Sequence, residues 1–490
     1  MDKKAETTER FEAPPVSHRE QNVIIGGVLL AMLLAALDQT IVAPALPTIG
    51  AALGHADYLP WVVTAYLLMA TAMAPLYGKI SDLYGRRRTI FGAIFVFLVG
   101  SVVSALAPNM LVLILGRACQ GLGGGGLFTL SQTVIADLVP PRERAKYAAW
   151  ISGTWAVASI AGPLLGGYFA EHLHWSLIFW INLPLGAAAV LVLSEPLKKI
   201  GVASREHKLD LVGAGLLVVA TSLLLLALNW GGETFSWGSI EVIGAFVLAV
   251  VFFALFGWRV TSAREPLVSL EILRNAIVLT ATTSMFLAQA AAIGTSVYLP
   301  IYLQHHVGLS VSESGTALLG LLLGTVGGAT ISGRLVARIT HYRRIAVFGA
   351  LLSIFGYVVF AWQAETAPLW LIEVLAVFTG AGTGMTFPIA TISVQNAVTK
   401  AHLGVATGVL TFLRSLGGAL GVAVLGAVAL SFGLPLASEG TRNAVRTSVD
   451  TARPFAAMFF VAAIIMVLAL VAILSMTEKP LMGREERDAE

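Results

Sequence analysis

Apolar positions along the chain fall in long, nearly unbroken runs, and polar positions gather in short stretches between them. The runs cover about 22–48, 60–80, 90–107, 110–137, 147–170, 176–195, 210–230, 239–259, 276–301, 312–333, 344–364, 369–392, 403–430 and 455–477. A helix crosses a bilayer core with about 20 predominantly apolar residues. The pattern therefore predicts fourteen transmembrane helices and an all-α integral membrane fold. The first run starts near Asn22 and continues past Ala36 into Asp38. That is too long for a signal-peptide core and ends at no cleavage pattern, so it reads as a permanent span.

Charge placement sets an expected orientation. Cytoplasmic loops should hold the excess of Lys and Arg. Most of the 31 such residues fall on one side of a fourteen-span layout. They begin with Lys3, Lys4, Arg10 and Arg19 and end with Lys479, Arg484 and Arg487. Both termini are thus expected in the cytoplasm. Arg442, Arg446 and Arg453 fall in a loop on the other side and fit less well, and Arg117 and Arg414 lie inside spans.

Composition narrows the function classes. Of the 490 residues, 57% are hydrophobic and 12% charged, whereas a soluble domain carries about 25% charged residues. Soluble enzymes and nucleic-acid-binding proteins are excluded. Cys119 is the only cysteine, so the chain has no internal disulfide and no cysteine metal site. No phosphate-binding loop, metal-ligand cluster or nucleophile elbow stands out. The sequence therefore suggests no enzyme, no cofactor and no ATP-driven pumping.

A weak internal repeat organises the bundle. The loop after the second span reads GKISDLYGRRRT from Gly78, and the loop after the tenth reads GRLVARITHYRRI from Gly333. Equating the two gives an N-terminal tail at 1–21, a six-helix half at 22–195, and loops with an inserted hairpin (spans seven and eight) at 196–275. A second six-helix half follows at 276–477, then a tail at 478–490. Repeated halves of this kind place a substrate site near mid-membrane at their interface.

Gly78, Asp82, Gly85 and Arg86 form the strongest local signal, because Gly serves tight turns and the acid and base can pair with each other or with helix ends. This loop resembles the signature of the major facilitator superfamily. LDQTIVAPALP from Leu37, LGRACQGLGGGG from Leu115 and SGTWAVASIAGPLLGGYF from Ser152 are similar to motifs of its fourteen-span drug:proton antiporters. IFWINLPLG from Ile178, EPLVSLEIL from Glu265 and LGVATGVLTFLRSLGGALG from Leu403 extend the likeness. The second loop repeat departs from it, with Ala337 where the acid would stand.

The resemblance implies a major facilitator fold of two six-helix halves plus a two-helix insertion. It also implies a latch in which Asp82 and Arg86 hold the halves together, joined by Asp137 unless that residue merely marks a helix end. Gly153, Gly162, Pro163, Gly166 and Gly167 then match the antiporter motif of the fifth span.

Asp38 and Arg117 carry the candidate coupling chemistry. An ionisable group inside a span is expensive and by default a functional candidate. At 1.5 Å per residue, Asp38 and Arg117 lie about 14 and about 12 Å below the outer ends of their helices, so a pair is geometrically allowed. Burial favours the neutral acid and a nearby guanidinium favours its charged form. Approach or withdrawal of Arg117 would then release or bind a proton; a static pair that fixes packing is the other reading. Tyr66, Phe128, Trp155, Phe286, Gln289, Phe387 and Arg414 are candidates for a substrate cavity. Glu373 is another, or else an interfacial carboxylate that reaches water. His305 and His306 read as exposed loop histidines.

The expected function is export of hydrophobic or cationic small molecules in exchange for protons, by alternating access across a bacterial cytoplasmic membrane. The proton gradient is the energy source, and a monomer in the lipid bilayer is expected. Two alternatives stand: a dedicated exporter of one compound such as an antibiotic, siderophore or lipid, and a non-transporting membrane sensor.

Overall fold

A computed structural model describes residues 16–54, 58–199, 209–232, 234–336, 338–339, 341–432 and 452–481. Arg442, Arg446, Arg484, Arg487, Ala337 and the first fifteen residues lie outside them. Among the described residues, fourteen helices are long and apolar enough to cross a membrane. They are α1 (His18–Leu53), α2 (Leu59–Tyr84), α3 (Arg86–Ala105), α4 (Met110–Leu138), α5 (Pro141–His172), α6 (Leu177–Ser194) and α7 (Leu211–Trp230). The chain continues with α8 (Ile240–Ser262), α9 (Ala276–His305), α10 (Val311–Val336), α11 (Arg343–Gln363), α12 (Leu369–Ala397), α13 (Leu403–Ser431) and α14 (Ala452–Ser475). The protein is a multi-pass membrane protein.

Helix ends follow caps, not the limits of the apolar runs. Ser17 accepts a hydrogen bond from the Glu20 amide while Glu20 accepts from the Ser17 amide and hydroxyl. This reciprocal capping box starts α1 four residues before the apolar run, where two orphan donors are satisfied at once. At the other side of the bundle, α2 and α3 are joined by Gly85 alone, at a φ of 88°. An L side chain is strained there, which is why the loop signature needs a glycine at that point.

Packing between helices depends on small residues, because lipid offers no hydrophobic drive to bring apolar helices together. A Cβ on Gly125 would lie 2.1 Å from the Ala70 carbonyl oxygen, and one on Gly123 would lie 2.5 Å from that of Ala93. Hence α4 can sit against both α2 and α3. The same device joins α9 to α13 through Gly417 and Gly421, and α10 to α12 through Gly324 and Gly328. The hairpin of α7 and α8 packs on itself, with α7 also touching α2 and α13.

The two halves meet along α2 with α13 and α5 with α10. Near the end of the bundle that carries Asp82 and Arg86, called the basic end below, α2 and α13 are in backbone contact. A Cβ on Gly78 would fall 2.2 Å from the Gly404 carbonyl oxygen, and one on Gly408 would fall 2.7 Å from that of Ala74. The bundle is closed at this end.

Adjacent glycines on α10 give a clean test of the packing argument. A Cβ on Gly328 would meet the Ala381 carbonyl at 2.0 Å, whereas one on Gly327 meets nothing within 4 Å. Gly328→Ala is expected to destabilise the detergent-solubilised protein by about 1–3 kcal/mol, while Gly327→Ala leaves its melting temperature unchanged or raised. Equal thermal melts for the two variants would refute the argument.

Candidate functional site

Five helices of the first half converge on Asp38, which is fully buried on α1. Its Oδ2 accepts from Arg117 Nη1 at 2.5 Å, and its Oδ1 accepts from Gln120 Nε2 and Asn182 Nδ2, both at 2.9 Å. The pair is thus a charged bond reinforced by two neutral amides. Arg117 is 1% exposed, so its own donors also need partners. Nε donates to the Val62 carbonyl at 2.9 Å, Nη1 donates to Gln120 Oε1 at 2.9 Å, and the guanidinium lies 4.5 Å over the Tyr66 ring. Ser101 accepts from both amides and Ser104 donates to Gln120. Satisfying the remaining lone pairs in this way is what a buried ion pair requires.

The glycines of α4 make this convergence possible. A Cβ on Gly116 would meet the Ser104 hydroxyl at 2.5 Å, one on Gly121 the Tyr66 carbonyl at 2.4 Å, and one on Gly124 the Tyr66 hydroxyl at 2.4 Å. Side chains as short as Ser and Gln then reach across the helix seams. Sequence reasoning missed Gln120, Asn182 and Ser101, because uncharged polar residues in apolar runs give a weak signal. Gln120 was within reach, since a residue three positions after Arg117 shares its helix face.

A second cluster lies at the basic end. Arg86 Nη1 donates to Asp82 Oδ1 at 2.5 Å and to Ser81 Oγ at 2.6 Å, and Arg86 Nε donates to Asp137 Oδ2 at 2.7 Å. Asp82 in turn accepts from the Gly404 and Val405 amides at 3.0 and 2.9 Å. These amides are orphan donors of the first turn of α13, where a carboxylate is favoured. One acid therefore ties both halves together. Arg144, a buried residue just before the apolar part of α5, donates to the Val139 and Ala136 carbonyls at 2.8 and 2.6 Å and so caps the end of α4. Burial pushes its guanidinium down to about 10, against the opposing pull of Asp137.

Of the small residues on α5, Gly162 and Gly166 face α1 at the closest range. A Cβ there would lie 2.0 Å from Thr40 Oγ1 and 2.1 Å from the Ile41 carbonyl oxygen. Thr40 donates to the Ala158 carbonyl across this seam at 2.7 Å. Pro163 lies within the helix, and Gly153 and Gly167 have open space around them.

A cavity of about 490 Å³ lies between α2, α4, α5 and α7 on one side and α9 and α13 on the other. Its lining on α2 runs from Thr64 to Thr71 and on α13 from Thr411 to Ala423. Both stretches lie beyond the Gly78–Gly404 contact, toward the opposite end of the bundle. Trp155, Phe128, Gln289 and Arg414 line it, and so does Gln39, next in the chain to Asp38. Tyr66 does not; it is fully buried beneath Arg117. Phe286 packs its backbone against Gly417, and Phe387 lies under the Arg414 guanidinium at 5.5 Å. Glu373 is exposed on α12, away from the cavity. His306 stacks on Tyr302 at the end of α9, and the side chain of His305 lies outside the described residues.

The sequence profile described as Major Facilitator Superfamily matches residues 28–422 and 281–490. The chain belongs to that superfamily. It is 35% identical over 407 residues to Multidrug resistance protein 3 of Bacillus subtilis, covering 83% of this chain and 79% of the relative. Multidrug transporter protein MdtP of the same organism is 33% identical, with 84% and 75% covered. An uncharacterized MFS-type transporter of Mycobacterium tuberculosis is 34% identical over 87% of this chain, which spans only 62% of that relative's length. The efflux pump FUS6 of Gibberella moniliformis is 32% identical, with 83% and 73% covered. The crystal structure of the human organic anion transporter MFSD10 (TETRAN) shares the fold, with a TM-score of 0.65 at 17% identity over 92% of this chain and 99% of that one. The fold expected from the sequence, an all-helical bundle of the major facilitator type, is the one found.

Asp82→Asn keeps the side chain's size but removes the charge shared by Arg86 and the start of α13. Spin labels on the exposed positions Tyr84 and Lys400, in a Cys119→Ser background, should give one short distance in the parent and a shift to longer distances in the variant. An unchanged distribution would mean that backbone packing alone keeps this end shut.

Proposed function

We propose that the protein is a proton-coupled antiporter that exports apolar and amphipathic small molecules by alternating access. The observation that supports this most is the position of Asp38, a fully buried carboxylate one residue from the wall of a cavity between the halves. A proton reaching Asp38 would remove the charge that Arg117 now satisfies. Arg117 would keep Val62, Gln120 and the Tyr66 ring as partners, and α1 would be freed from α4. Loss of the proton would restore the pair. Transporters of multiple drugs among the relatives fit this reading, and fungal efflux pumps fit a dedicated exporter equally well.

The excess of Lys and Arg puts the basic end in the cytoplasm, with the chain a multi-pass protein of a bacterial cytoplasmic membrane. In that orientation the latch closes the cytoplasmic side and the cavity lies toward the outside, the state that takes up a proton and has released its cargo. Each proton entering across 100 mV supplies about 2.3 kcal/mol, and each pH unit adds about 1.4 kcal/mol. One proton thus supports a gradient of a few hundredfold for a neutral compound. No carboxylate serves a cationic cargo among the described lining residues of the cavity.

In liposomes loaded with a pH-sensitive dye, the wild-type protein should couple an imposed substrate gradient to proton movement. Asp38→Asn should reduce that proton signal to the level of protein-free liposomes while leaving substrate exchange without a pH gradient in place. Proton movement at the wild-type rate in Asp38→Asn would remove Asp38 from the coupling role.

A further inference from the structure

Arg414 sits in the middle of α13 and is the only charged side chain among the described residues that line the central cavity. Its guanidinium lies 5.5 Å over the Phe387 ring. Among the described residues it has no ion pair or hydrogen bond, in contrast to Arg117 and Arg86, whose charges are each met by a carboxylate. Arg414 is half-buried on the cavity wall, where the Phe387 ring face meets only part of its charge and no acid meets the rest. The wall therefore presents an unmet positive charge to whatever enters.

Two further groups on the cavity wall are unsatisfied. Trp155 Nε1 and Gln289 Oε1 are buried polar atoms with no hydrogen-bond partner. Both atoms are buried behind the cavity surface, so neither is offered to a ligand in this state. Trp155 stacks on Phe128 at 5.1 Å and 11°, forming a flat apolar wall on the half of the protein that faces α13. A cation beside an aromatic shelf, with no acid among the described lining residues, suits an anion that carries a flat apolar body.

We propose that this cavity takes organic monoanions, with a carboxylate held by the Arg414 guanidinium and a flat apolar body against Phe128 and Trp155. Arg matches a carboxylate through two parallel N–H donors. The inference rests on the export reading given above, and it changes the energetics. One anion leaving for each proton entering moves two positive charges inward, so a potential of 100 mV multiplies the attainable gradient by about two thousandfold. A monovalent cation exchanged for one proton moves no net charge and gains nothing from the potential.

A series of dansyl compounds with one ring system and three headgroups tests the assignment: dansylglycine, its neutral amide, and the cationic dansylcadaverine. Binding is measured by dansyl fluorescence with the full-length protein in phosphatidylcholine nanodiscs. The wild type should bind dansylglycine at least tenfold more tightly than either of the others. Arg414→Gln should erase that preference, and Arg414→Lys should keep its direction at lower affinity. Equal or tighter binding of the cation by the wild type overturns the proposal without any variant, so a misfolded Arg414→Gln cannot shield it. Nanodiscs containing phosphatidylglycerol separate the sources of the anion: unchanged dansylglycine binding supports a soluble cargo, whereas its loss assigns Arg414 to a lipid headgroup and overturns the proposal. Asp38→Asn separates this claim from proton coupling. That variant should bind dansylglycine as the wild type does while failing to export it, and loss of headgroup preference in Asp38→Asn counts against Arg414 as the anion's partner.

Discussion

The carboxylate of Asp38 is placed where no water reaches it, and the first half of the bundle is arranged around that fact. Leaving such a charge unpaired by removing one partner costs about 3–5 kcal/mol, so α4 must bring Arg117 alongside, and α4 can do so only because its glycines admit α2 and α3 at backbone distance. Gln120, Asn182 and Ser101 then complete the shell from α4, α6 and α3. The glycine run after Arg117 is therefore part of the ion-pair site, although none of its members touches the pair.

At the basic end the same chemistry is used to the opposite effect. Asp82 is shared between Arg86 of its own half and two amides at the start of α13. Asp38 has all its partners inside one half and can change its charge without parting the halves. Asp82 has partners in both, so its charge is shared across the seam between the halves. In the second half, Arg343 from the repeated loop instead donates to the Leu474 and Met476 carbonyls at the end of α14, and its amide donates to Glu478. These contacts of Arg343 stay within the second half.

Much of the fold was legible because a bilayer-spanning helix is set by a simple length of apolar residues, and the fourteen runs are long. Their ends were not, since Ser17 and Glu20 start α1 through hydrogen bonds that hydropathy does not register. Asp38 and Arg117 stood out because charge inside a span is rare, and equal depth allowed their contact. Tyr66 is a candidate cavity aromatic by sequence and lies instead under Arg117, because ring orientation around a helix depends on which neighbour approaches most closely. Glu373 differs from Asp38 in facing outward on α12, a distinction that depth along the helix does not carry. Nothing in the hydropathy marks Arg144 as buried; its burial arises from the turn after Asp137, where the chain folds it back on the carbonyls of Ala136 and Val139 at the end of α4.

The link between the ion pair and α5 runs through Thr40. This residue is two positions from Asp38, donates to the Ala158 carbonyl, and fills the space that Gly162 leaves open. Successive residues on a helix turn by 100°, so Asp38 and Thr40 point to well-separated sides of α1, one into the polar shell and one into α5. Any rotation of α1 that moves Asp38 away from Arg117 must also drag Thr40 across the Gly162 seam. Because α5 packs against α10 of the other half, the chain of contacts from Asp38 through Thr40 and α5 reaches the interface between the halves. The small residues at Gly162 and Gly166 keep α1 and α5 close enough for Thr40 to bridge them, whereas Gly153 and Gly167, with open space around them, have no part in that contact.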